Sequence, residues 1–248
     1  MKKLLIPVVF SLIMWGCSST VNTTNMTADE HLNYAMKLFN DRDYQESINE
    51  FQSILLQFPG SAFVDQAQYY LAESHYKRGE YILAAYEYSR LIKDIPASKL
   101  VPQAQFMLAQ SYFDLSPNYQ LDQRYTKKAI EEFQAFIDFF PTDARVQEAE
   151  GKIRDLNNKL AEKEFNTARI YEKLEYYDAA VYYYNIITDT YHDSKYAAPA
   201  QYNKIKVLVQ LKENGNALKE IYSFLQKYPS DGNVAEIKKL QESLNKKG

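Results

Sequence analysis

The chain has 248 residues and a formal net charge of −3, with 22 tyrosines and 13 phenylalanines against only 7 glycines, 8 prolines and one cysteine. That balance carries no basic stripe of the kind that neutralises phosphates, so nucleic-acid binding is excluded as a main function. Few glycines and prolines with many aromatic residues point to a long helical protein packed on rings.

The first segment is Lys2 and Lys3 followed by an apolar run from Leu4 to Trp15. A basic start and about a dozen apolar residues have the shape of a secretory signal. The run is shorter than the roughly 20 residues a membrane-spanning helix needs. It ends Met14-Trp15-Gly16-Cys17, which resembles a bacterial lipobox, and Cys17 is the sole thiol of the chain. Residues 1–16 are therefore expected to be a lipoprotein signal peptide and Cys17 the lipidation site. Each buried methylene contributes about 0.8 kcal/mol, and more than one acyl chain is needed for stable anchoring. No second cysteine exists for a disulfide. Residues 17–27, rich in Ser, Thr and Asn, read as a flexible tether. Ser18 stands where an aspartate would favour inner-membrane retention, so the expected location is the outer membrane, facing the periplasm.

From residue 28 the chain repeats. Ser47/Phe51/Pro59, Ala84/Tyr88/Pro96, Ala129/Phe133/Pro141, Ala180/Tyr184/His192 and Ala217/Ile221/Pro229 share one spacing, small-x3-large-x7-Pro, with the proline lost in the fourth set and the aromatic lost in the fifth. Upstream of the first four lies a partner pattern: Tyr34-Ala35, Leu71-Ala72, Leu108-Ala109 and Thr167-Ala168. This is the tetratricopeptide (TPR) pattern of helix A, turn and helix B. Alanine lets two helices cross closely, the large residue fills the space one turn later, and proline ends helix B because it lacks an amide donor. The fold predicted is an all-α TPR superhelical solenoid of about five helix pairs. Stacking is obligatory, since one pair cannot bury its apolar face alone.

Two departures interrupt the register. An eight-residue insertion falls between helices 3A and 3B, around "SPNYQLDQRYTKKAI". After Pro141, Val146, Ala149, Ile153, Leu156 and Leu160 recur at helical steps. That segment is expected to run into helix 4A as one helix of about 30 residues, roughly 45 Å long. It would link an N-terminal half, residues 28–142 with repeats 1–3, to a C-terminal half, residues 143–248 with repeats 4 and 5. Val234, Ile237, Leu240 and Leu244 form a last amphipathic helix, expected to cap the stack.

No catalytic constellation, metal-ligand spacing or phosphate loop is present in the sequence, so neither enzyme activity nor a cofactor or metal is expected. His31, His75 and His192 fall in different repeats. Binding is the expected activity. Counting from the helix-A alanine, Tyr69, Tyr76, Phe106 and Phe113 share one surface, with Gln66, Gln103 and Gln110 interleaved. Rings that hold apolar side chains and amides that meet exposed backbone suit an extended peptide. The same spacing equally suits rings packed between neighbouring helices. Repeat 4 presents charged residues instead, Arg169 and Glu172 among them.

The lipobox, the five repeats, the insertion and the long helix together resemble the BamD family of outer-membrane β-barrel assembly lipoproteins. The most specific stretches are "LDQRYTKKAIEEFQAFIDFFP", residues 121–141, and "LAEKEFNTARIYEKLEYYDAAVYYYN", residues 160–185. The resemblance implies a non-catalytic function within the barrel assembly (BAM) complex. Its N-terminal repeats would receive unfolded outer-membrane protein precursors. Its C-terminal half would dock on the POTRA region of a BamA-like barrel protein, with other BAM lipoproteins as further partners. Some relatives carry an arginine in helix 4B that pairs with BamA; here the run is Tyr182-Tyr183-Tyr184, so docking would rest on Tyr182 and Tyr183 with Arg169 and Glu172. The alternative is a TPR scaffold lipoprotein that coordinates cell-wall or polysaccharide machinery.

Overall fold

The computed structural model describes residues 23–246. The signal and lipidation expectations for residues 1–16 and Cys17 lie outside the described residues. Eleven helices follow in order: α1 Ala28–Asn40, α2 Tyr44–Gln57, α3 Val64–Lys77, α4 Tyr81–Asp94, α5 Val101–Leu115, α6 Arg124–Phe139, α7 Val146–Lys173, α8 Tyr177–Thr190, α9 Ala197–Gln210, α10 Asn214–Lys227 and α11 Val234–Asn245. They stack as a TPR solenoid, each helix packed on the next in sequence. The odd-numbered A helices also touch across repeats, α1 with α3 and α7 with α9, which makes theirs the tighter, inner layer.

The helix ends follow local chemistry. Thr27 and Glu30 cap α1 reciprocally: the Glu30 amide donates to Thr27 Oγ1 at 3.3 Å and the Thr27 amide to Glu30 Oε2 at 2.9 Å. Each B helix stops one residue before its proline, at Phe58, Ile95, Phe140 and Tyr228, where φ lies between −126° and −132°. Proline forces its predecessor out of the helical region. Tyr191 precedes His192 and shows the same exit, φ −115° and ψ 39°, so the surrounding turn holds without the ring. The tight A–B turns each need one left-handed residue. Gly79 supplies it in repeat 2, whereas Arg42, Glu175 and Lys212 adopt φ of 64°, 61° and 62° at a cost glycine would not incur.

The repeat positions meet in the core as the spacing requires. Ala35, Ala72, Ala109 and Ala168 of the A helices are fully buried, as are Phe51, Tyr88, Phe133, Tyr184 and Ile221 of the B helices. A third layer sits three residues further along helix B: Ile54, Leu91, Phe136, Ile187 and Phe224, all fully buried.

A polar clamp recurs beside that core. Gln68 Nε2 donates to Glu87 Oε2 at 2.6 Å and to the Glu87 carbonyl at 3.1 Å. Gln105 does the same to Glu132 at 2.9 and 3.1 Å, and Gln201 to Glu220 at 3.0 and 3.3 Å. Repeat 1 substitutes His31, whose Nε2 lies 2.5 Å from Glu50 Oε2. In repeat 4 the two register positions hold Glu164 and Tyr183 instead, and burial raises the Glu164 pKa. A side-chain amide matches a carboxylate and a carbonyl at once, tying A to B within a repeat. We expect Gln68→Leu to cost about 1–3 kcal/mol, because the buried Glu87 carboxylate loses its shortest donor and keeps only Arg90, at 3.3 Å. Urea denaturation of the two proteins measures it.

Helix α7 is 28 residues long. Its first half packs on α6 through Ala149 and Leu156, and its second half on α8 through Ala161 and Ala168. Its middle fastens the insertion: Lys159 Nζ donates to Ser116 Oγ at 2.7 Å and Lys163 Nζ to the Leu121 carbonyl at 2.7 Å. Asn158 Oδ1 accepts from the Lys195 amide at 2.9 Å, holding the turn that precedes α9. One helix therefore carries contacts from both sides of the chain. Helix α11 closes the stack, burying Ile237 and Leu244 with Ile221 and Phe224 of α10.

Candidate peptide-binding surface

The four rings expected on the inner surface divide into two buried and two half-exposed. Tyr69 is only 4% exposed and Phe106 6%. Tyr69 sits 5.7 Å from Tyr88 and 5.4 Å from Tyr70, and its hydroxyl donates to Glu73 Oε1 at 3.0 Å. Tyr88 donates to the same oxygen. Burial above all, and then the Glu73 carboxylate, push both phenols well above their ordinary pKa, so both stay neutral. Phe106 is wedged between Phe133 at 5.6 Å and Phe136 at 5.3 Å. The expectation that Tyr69 and Phe106 line an open groove is corrected here: both are core rings, because each lies against its own repeat's helix B.

Arg145, just before α7, covers this core. Its guanidinium lies 5.2 Å from both the Phe106 and Phe136 rings. Nη2 also donates to Asp143 Oδ2 at 2.7 Å and Nε to Oδ1 at 2.8 Å. These hydrogen bonds hold the Asp143 carboxyl down to about 2. A depressed carboxylate contributes stability above its ordinary pKa and loses it as pH falls through the folded value. We therefore expect Arg145→Ala to destabilise at neutral pH, with the difference from the parent narrowing between about pH 4 and 2; denaturation midpoints across that range measure it.

Tyr76 and Phe113 remain at the surface, half-buried. The Tyr76 hydroxyl donates to Asp114 Oδ2 at 2.5 Å, and Gln110 Nε2 donates to Asp114 Oδ1 at 3.0 Å. Burial and then the bond to Asp114 raise the Tyr76 pKa. Lys152 Nζ stands 4.6 Å from the Phe113 ring centroid. The result is a strip running from α3 through α5 to α7: Tyr76, Asp114, Gln110, Phe113 and Lys152. Gln103 is exposed and lies against the Tyr69 hydroxyl. Gln66 is exposed but belongs elsewhere, lining a cavity of about 550 Å³ with Met36 of α1, Tyr70 and residues 97–100. The strip offers apolar faces beside a carboxylate, an amide and an ammonium, which suits a chain with unpaired backbone groups. Asp114 and Lys152 were not foreseen: Asp114 is one residue beyond the counted register, and Lys152 comes from the long helix, whose approach no repeat spacing encodes.

The residues expected to dock a partner do not form one cluster. Tyr183 stacks on Tyr171 at 5.3 Å and 9°, and Tyr182 meets Tyr183 edge-on at 5.3 Å. Tyr171 continues to Tyr176 at 6.4 Å, so four rings make a ladder along the α7–α8 edge with Tyr182 and Tyr176 exposed at its ends. Glu172 accepts a hydrogen bond from the Tyr184 hydroxyl at 2.8 Å, tying it to α8. Arg169 is exposed. The three histidines lie apart, each beside one carboxylate: Glu50, Glu80 and Asp193.

The chain is similar to known proteins. BamD, the outer membrane protein assembly factor of Rickettsia prowazekii (strain Madrid E), is 26% identical over 224 residues, 90% of this chain and 89% of the relative. Among solved structures, the TPR2AB-domain:pHSP90 complex of yeast Sti1 is 18% identical, covering 82% of this chain and 78% of that one with a TM-score of 0.43. A TPR protein of Parabacteroides merdae ATCC 43184 is 14% identical, covering 89% and 85%, with a TM-score of 0.44. The family model YfiO, described as outer membrane lipoprotein, matches residues 24–200. That span takes in the first four repeats, the insertion and the long helix, and the chain belongs to the YfiO outer membrane lipoprotein family.

Proposed function

We propose that this protein is a non-catalytic component of the machinery that assembles β-barrel proteins in the outer membrane. It is held through Cys17 on the periplasmic face. Residues 28–142 receive unfolded precursors on the strip of Tyr76, Gln110, Asp114 and Phe113, and residues 143–248 dock on a BamA-like barrel component through the tyrosine ladder and Arg169. The observation that carries this reading is the match over 90% of the chain to a relative whose name is outer membrane protein assembly factor. The strip supports it physically: aromatic faces next to amide and charged groups hold an extended chain without requiring one sequence.

Purification from detergent-solubilised membranes tests the reading. The barrel component should co-purify, and Cys17→Ser should move the protein to the soluble fraction. Recovery of cell-wall enzymes without the barrel component would instead support the scaffold alternative.

A further inference from the structure

Three A helices receive the preceding B helix on a buried alanine. Ala67 of α3 packs with Phe51 and Ile54 of α2, Ala104 of α5 with Tyr88 and Leu91 of α4, and Ala200 of α9 with Tyr184 and Ile187 of α8. Each stands five residues before the helix-A crossing position, at Ala72, Ala109 and Ile205. Counting back five from Ala168 in α7 reaches Lys163, not an alanine. Four residues on, α3 and α5 carry buried Leu71 and Leu108, whereas α7 carries Thr167. The second half of α7 is thus unsuited to an incoming helix, and α6 packs instead on the first half, at Ala149 and Leu156.

A cavity of about 380 Å³ occupies the vacated register, between the insertion at Tyr119 and Gln120 and the α7 face of Lys163, Thr167, Ile170 and Lys173. Arg169 stands on its rim, and no carboxylate lines it. A neighbouring cavity of about 510 Å³, which shares Lys163, differs: its cations are interspersed with Asp122, Glu131 and Glu164. Lys163 lies near the Glu164 carboxylate and donates to the Leu121 carbonyl, so Arg169 and Lys173 are the two cations left without a counter-charge, notable in a chain of net charge −3. Neither Arg169 nor Lys173 forms an ion pair among the described residues. Beside them Ile170 is 58% exposed and Leu174 58%, an apolar step next to the charges.

We infer that this notch binds an acidic peptide segment of a partner protein. Its carboxylates meet Arg169 and Lys173, and an apolar side chain covers Ile170 and Leu174. Charge complementarity selects the acid, and the apolar step selects a peptide over a bare phosphate or a lipid headgroup, which has no use for Ile170 beside its anion. The inference rests on the reading that the C-terminal half docks a partner, and it names the chemistry of the docked segment.

The test uses the full chain and a labelled 12-residue peptide of interspersed Glu and Leu, with a control in which Gln replaces Glu. The Glu peptide should bind at least tenfold more tightly than the Gln control at low salt. Arg169→Glu with Lys173→Glu, both on exposed positions, should abolish that difference while leaving the melting temperature unchanged. Ile170→Ser should weaken binding severalfold. The periplasmic region of the barrel component is run in parallel. If it binds the chain but the Glu peptide shows no preference, the notch assignment falls and the docking reading stands. If neither binds, both fall. Binding of phosphatidylglycerol vesicles that the charge reversal removes, with no peptide binding, overturns the inference in favour of a lipid surface.

Discussion

Phe133→Ala costs the fold about 3–5 kcal/mol, the range for emptying a fully buried aromatic position. Phe133 is fully enclosed and touches Phe106 at 5.6 Å and Phe113 at 6.3 Å, so its loss opens space under both the core and the binding strip. Its cluster also holds Ala149 and Leu156 of α7, which couples repeat 3 to the linking helix. A chain of this size loses roughly 2–4 °C of melting temperature per kcal/mol, so a shift of about 10 °C is expected by calorimetry. Phe139, on the same helix but 74% exposed, is the control. Its truncation should stay within about 0.5 kcal/mol. Equal shifts for the two variants would mean that α6 does not present the face described.

If the proposed function holds, Tyr76→Ala combined with Phe113→Ala weakens capture of precursor peptides by tenfold or more. Rings that anchor a partner are worth upwards of about 1 kcal/mol each on truncation, and 1.4 kcal/mol is a factor of ten. Both rings are half-exposed, so the variant retains its core, and unchanged helical circular dichroism checks this. Fluorescence anisotropy with a peptide from the aromatic-ending C-terminus of a barrel protein gives the readout. Unaltered affinity would remove the strip from the proposed function. Tyr69→Ala and Phe106→Ala do not serve this purpose, since each would first damage the packing around Tyr88 or Phe133.

The strip and the notch differ in how far they could be foreseen. Tyr76 and Phe113 were reachable by counting from Ala72 and Ala109, because a helix repeats its faces at fixed steps. The same count selected Tyr69 and Phe106 and could not separate them from the other two. All four lie on one stripe of the A helices. Only the angle at which α4 and α6 cross decides which end of the stripe is covered. The clamps are not legible in the sequence for another reason. Gln68 and Glu87 are 19 residues apart, and a surface-like pair of polar residues in sequence becomes a buried hydrogen bond only when two helices meet.

The sequence by itself determined the helix pairs, their ends and the residues that cross. Alanine at the crossings, a large residue one turn on and proline after helix B are local steric requirements, and they leave one arrangement of neighbours. It also determined the long helix, through the unbroken apolar period from Val146 to Leu160. What only the tertiary structure decided is where that helix lies against its neighbours. By packing α6 on its first half, α7 lays Lys152 over Phe113 and Arg145 over Phe106, and leaves the face around Ile170 open beside the insertion. Those contacts join residues tens of positions apart through the crossing of whole helices, and no short-range period in the chain records such a crossing.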